Sequence, residues 1–152
     1  MSNLIEEKDV TPVNLSLYLE RAVIEHKLQD DHGIYVTEDG WFPFWIRVLE
    51  KRGFVGLTTY ILFRNSSTHL QRLELANNFN RRNWMGTANL GDDNKLKIDH
   101  SLSFRDGMLT ETFIRACRQY SGAIRESLTA FDPDYEMLLP LGETESEDAE
   151  NE

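Results

Sequence analysis

The chain has 152 residues, 16 basic and 26 acidic side chains, a net charge of −10, 40% hydrophobic residues and one cysteine. That length suits one domain with a single core, burying roughly two-thirds of the surface that the unfolded chain exposes. The charge disfavours nucleic acid and anionic membranes as partners, Cys117 has no cysteine to pair with, and no apolar run nears the roughly 18 residues of a membrane span.

Residues 1–10 lack a basic start followed by a long apolar run, so they read as a flexible lead-in to an unprocessed, cytoplasmic protein. Thr11 and Pro12 supply an N-cap and a proline at the first helical position. The spacing of Leu15, Leu19, Ala22, Val23 and His26 then predicts a helix to about Leu28. Residues 29–33 are turn formers, residues 34–37 a short strand, and Asp39-Gly40 a two-residue hairpin signal. Residues 42–49 and 54–63 alternate as strands separated by Arg52-Gly53. Both faces of these strands are apolar: Val55, Leu57, Ile61 and Phe63 lie opposite Phe54, Tyr60 and Leu62, so cover is expected on both sides, part of it from a partner.

Residues 65–68 cap a helix over 70–82, in which Leu70, Leu73, Leu75, Ala76 and Phe79 form one broad apolar face. Residues 84–90 are a strand, 91–94 a tight turn, and 95–104 a strictly alternating strand. After Arg105-Asp106-Gly107, the residues Phe113, Cys117, Tyr120, Ile124, Leu128 and Phe131 recur at steps of three and four and predict one long helix over 110–131. Asp132-Pro133 stops it and residues 135–141 are a short apolar run. The segment 143–152 holds five glutamates and one aspartate, a charge of −6 that leaves −4 on the body. Residues 142–152 are therefore expected to be a disordered acidic tail, and 11–141 one domain. The order is α-β-β-β-α-β-β-α, an α+β fold with a five-stranded, mostly antiparallel sheet and helices on one side.

Leu75-Ala76-Asn77-Asn78-Phe79-Asn80-Arg81, a strand, Asp92-Asp93, an alternating strand and a long last helix together resemble the YbjN family of bacterial sensory transduction regulators over about residues 11–140. The resemblance implies a fold similar to type III secretion chaperones, small acidic proteins, usually dimeric, that hold an extended client segment. It brings no catalytic residues with it. The aromatic run 41–45 lies outside the pattern.

Phe42 and Phe44 suit the core, which leaves Trp41 and Trp45 on the opposite face, where large aromatic residues are frequent interface hot spots. Trp84 is a third candidate partner-binding indole. Asn77 and Asn80 are expected to tie the end of the central helix to neighbouring backbone, since buried amides are nearly always paired. His100 falls on the inward face of its strand, read as a satisfied interior histidine, and Cys117 on a helical stripe as a small hydrophobe. The paired acids Asp30-Asp31, Asp92-Asp93 and Asp132/Asp134 fall at turns. No zinc spacing, phosphate loop or nucleophile elbow is present in the sequence.

These residues point to a non-enzymatic, homodimeric protein-binding module without cofactor or metal. One rival is a secretion-type chaperone. Another is an enzyme or small-ligand binder using a cleft at His100 or Cys117, and a third a nucleic-acid binder using Arg81, Arg82 and Trp84.

Overall fold

The computed structural model describes residues 3–30 and 33–145. A short strand β1 (Leu4–Ile5) and a turn of 3-10 helix precede α1 (Pro12–Arg21), whose N-cap Thr11 accepts from the Asn14 N–H at 3.2 Å. Next come β2 (His26–Gln29), β3 (Gly33–Val36), β4 (Phe44–Leu49) and β5 (Phe54–Leu62). Helix α2 (His69–Arg82) starts on a capping box between Thr68 and Gln71. Strands β6 (Thr87–Leu90), β7 (Lys95–Ser103) and β8 (Met108–Leu109) lead into α3 (Thr110–Phe131). Six strands form one antiparallel sheet in the order β2-β3-β4-β5-β7-β6, and β1 pairs with β8 apart from it.

The main sheet therefore has six strands where five are expected, because α1 ends at Arg21 and not near Leu28. Val23 takes a left-handed φ of 57°, turning Ile24 into the core, after which residues 26–29 pair with 33–36. The Ile24 carbonyl lies 2.7 Å from His26 Nδ1, and Ser16 Oγ lies 2.7 Å from Nε2, anchoring the new strand to α1. Nothing in the pattern announces β2: it is an edge strand in which Lys27 and Leu28 are both exposed, so the period of two is absent. Gly33 opens β3 at φ 91°, where a side chain would run into the Ile46 carbonyl.

Asp39 and Gly40 do turn the chain, with the Trp41 N–H donating to the Glu38 carbonyl at 3.0 Å, but within a longer connection than a two-residue hairpin. Pro43 has no N–H to give and the Phe42 N–H donates instead to Ser121 Oγ on α3, so β4 begins at Phe44. Residues 4–10 are packed, contrary to the lead-in expected there: Ile5 and Val10 are buried, and the Glu7 carboxylate accepts from Arg105 at 2.7 Å. At the other end Leu138 and Leu139 are buried beside β5, where the Leu139 N–H donates to the Leu62 carbonyl at 2.9 Å. The buried Asp132 carboxylate shapes that return by accepting from the Glu136, Met137 and Leu138 N–H groups. Residues 146–152 of the expected acidic tail lie outside the described residues, as does His32.

All three helices lie against one face of the sheet. Ser16 of α1 meets His26, Arg72 of α2 lies over Phe63 with 5.0 Å to the ring centre, and Tyr120 of α3 meets Phe44 edge-on at 5.0 Å. Between the layers sit Ile34, Val36, Phe44, Ile46, Val55, Leu57, Leu96 and Ile98. Helix α2 buries a narrower stripe than its sequence suggests: Leu75, Ala76 and Phe79 are buried, whereas Leu70 is 64% and Leu73 45% exposed.

Candidate functional site

Among the described residues no helix covers the other face of the sheet. Because side chains alternate, one row of outward residues crosses all six strands in register, Lys27, Tyr35, Trp45, Thr58, Asp99 and Thr87. Leu49 faces Phe54 in a second row and Tyr60 faces Lys97 in a third. None of these side chains is buried, and Leu49, Phe54 and Tyr60 stand 41%, 40% and 39% exposed. Trp45 stacks on Tyr35 with ring centres 4.7 Å apart, and the Thr58 hydroxyl donates to Asp99 at 2.9 Å. Between Thr58 and Phe54 the outward position is Gly56, so the face has a low point floored by backbone beside Arg47 and Leu49.

The three tryptophans do not share this surface. Trp45 lies on it. Trp41 precedes β4, packs against the core and lines a groove of about 360 Å³ on the helix side with Phe42, Arg125, Leu128 and Tyr135. Trp84, 93% exposed, projects from the connection between α2 and β6. The assignment of Trp41 to the outer face is thus corrected: the turn at Gly40 and the break at Pro43 take it out of the alternation that orients Trp45. Of the basic pair next to Trp84, Arg82 is held by Glu126 at 3.3 Å and lies over Phe131.

Asn80 ties the end of α2 to β6. Its amide donates to the Ala88 carbonyl at 2.9 Å and its oxygen accepts from the Ala88 N–H at 2.6 Å. Both backbone groups point away from β7, so the side chain stands where the next strand would be and closes a sheet edge. Asn80→Leu leaves both groups unpaired at a buried residue, at about 1–3 kcal/mol, and a lowered melting temperature checks it. A melting temperature that is unchanged while partner binding disappears rules the tie out. Asn77 has no such role: it faces solvent, on the far side of the helix from Leu75 and Phe79.

His100 is half-buried on the inward face opposite Leu57, and its ring makes no hydrogen bond with a described residue, unlike the satisfied histidine expected there. The histidine with both ring nitrogens engaged is His26, half-buried at the start of β2. Burial lowers the His100 pKa from its ordinary 6.5. The unfolded chain therefore takes up this proton first as pH falls, so the stability linked to His100 is complete above about 6.5 and declines below it. His100→Gln is expected to reduce the loss of melting temperature between about pH 7.5 and about pH 5.5. An undiminished loss contradicts this.

Cys117 is fully buried and its pKa is pushed up to about 12 by burial, which keeps it a thiol. Neither Cys117 nor His100 lines the groove at Trp41. Among the described residues no three of His, Cys, Asp and Glu are grouped so as to hold a metal ion, and no helix is long and apolar enough to cross a membrane.

The profile of the YbjN family, "Putative bacterial sensory transduction regulator", matches residues 11–133. The chain belongs to the YbjN family. The crystal structure of YbjN from E. coli, "a putative transcription regulator", matches with a TM-score of 0.68 and 21% identity, over 86% of this chain and 96% of that one. At that identity the likeness establishes the YbjN fold, here with its six-stranded sheet. No curated protein matches the sequence. Of the residues that carried the resemblance, Leu75, Ala76 and Phe79 are core and Asn80 closes the sheet edge, so these four residues of the YbjN pattern seat α2 on the sheet.

Alternation along residues 42–49 already sets Arg47 and Leu49 on the side of Trp45, whereas the sequence reading missed Tyr35 and Gly56 as members of the outer face. Their signal is register: once Trp45 is set outward, its cross-strand neighbours follow.

Proposed function

We propose that this chain is a non-enzymatic, cytoplasmic regulator that acts by binding a protein partner on the outer face of its sheet. The observation that carries the reading is the set of Tyr35, Trp45, Leu49, Phe54 and Tyr60 on one face, none of them buried, with all three described helices on the other. Exposed aromatic and apolar side chains gathered on one surface favour association. The test is affinity capture from a bacterial lysate with the intact protein and with Trp45→Ala, comparing what each retains. A protein held by the first and lost by the second supports the reading, and identical captures count against it.

The reading includes a homodimer. Val13 and Leu17 on α1 and Leu28 on β2 are exposed apolar side chains away from the outer face and available for self-association. Light scattering that gives the monomer mass at high micromolar concentration removes the dimer and leaves the partner face in place.

A further inference from the structure

The charge of the outer face runs against that of the chain. Outward positions in the strands carry Lys27, Arg47, Lys95 and Lys97 against one carboxylate, Asp99, a net of +3 on a chain of −10. The cations sit among the rings. The Arg47 guanidinium lies 6.0 Å from the Trp45 ring centre, the Lys95 ammonium 5.9 Å from that of Tyr60, and Lys97 lies 3.5 Å from Asp99. Whatever covers the aromatic rings must therefore cover these cations too. Removing a cation from water without a counter-charge is costly, so a partner that brings carboxylates to the same places is selected over one that does not. A second copy docked face to face sets +3 against +3 and is selected against.

We propose that the outer face takes an acidic segment of another protein, its carboxylates meeting Arg47, Lys95 and Lys97 and its apolar side chains covering Trp45, Phe54 and the low point at Gly56. This rests on the protein-binding reading of the same face. A nucleic acid also brings anions, but Leu49, Phe54 and the bare backbone at Gly56 fit aliphatic side chains, and the centre of the face holds the carboxylate of Asp99.

The test selects a phage-displayed random peptide library, about 12 residues per peptide to span the sheet when extended, on the intact protein. Selected peptides are then measured on Gly56→Leu and on the combined Arg47→Glu, Lys95→Glu, Lys97→Glu variant, with folding followed by circular dichroism. Gly56→Leu fills the low point without touching the core, since the atoms nearest an added Cβ are 3.9 Å away. Peptides that bind the intact protein and lose affinity for Gly56→Leu are expected to be acidic and rich in apolar residues. On the charge-reversed variant they are expected to lose at least about ten-fold, and raised salt is expected to weaken them. Gly56-dependent peptides that are neutral or basic overturn the acidic partner while leaving the protein-binding face intact. If no Gly56-dependent peptide emerges, or if a uridine oligonucleotide displaces those that do, both readings fall.

Discussion

Tyr120→Ala is expected to destabilise the protein by about 3–5 kcal/mol, the cost of emptying the site of a large buried ring. For a chain of this size that lowers the melting temperature by roughly 10 °C. The ring is fully buried where α3 crosses the sheet, edge-on to Phe44. Its hydroxyl donates to the Ile98 carbonyl at 2.7 Å, and burial raises its pKa, so the phenol stays protonated and able to donate. Tyr120→Phe keeps the packing and removes that bond, at about 1 kcal/mol. Thermal or urea unfolding of the two variants separates the contributions. Equal losses would mean that the hydrogen bond, and not the ring, seats the helix.

Trp45→Ala is expected to weaken the captured partner by about 2 kcal/mol or more, roughly thirty-fold in Kd, as loss of an interface indole does. Its effect on folding is expected to be small, because Trp45 rests on Tyr35 on the face away from the helices and not in the core. Gly56→Leu is expected to weaken the same partner with no loss of melting temperature, since leucine suits a strand better than glycine does. Calorimetric titration with the purified partner, alongside the melting curves, reads both effects. Full affinity in both variants removes the outer face from the account.

The long helix was legible because its stripe from Phe113 to Phe131 has no competing period, and it spans Thr110–Phe131 as read. Strand β7 was legible for a similar reason, one buried face and one wet face. Strand β2 was not, because an exposed edge strand of four residues leaves no alternation to read. The two faces of β5 were visible from sequence, and Phe54 and Tyr60 do lie opposite the core. Which face the helices take depends on register and on where the chain crosses the sheet, which no single segment encodes. Trp41 shows the same limit: alternation predicted its side correctly only for a strand that began at residue 42, and Pro43 with the Phe42–Ser121 bond starts it later. At Asn77 and Asn80 one helical turn decides: Asn80 reaches Ala88 and Asn77 points to water.

The central claim is that this chain works through the bare face of its sheet. Isotope-labelled protein titrated with the captured partner, followed by amide and indole NMR shifts, tests it most directly. The account predicts shifts centred on Tyr35, Trp45, Gly56, Thr58 and Tyr60, with the Trp41 and Trp84 indole signals unmoved. Shifts confined to the groove at Trp41 or to the connection at Trp84 would contradict it.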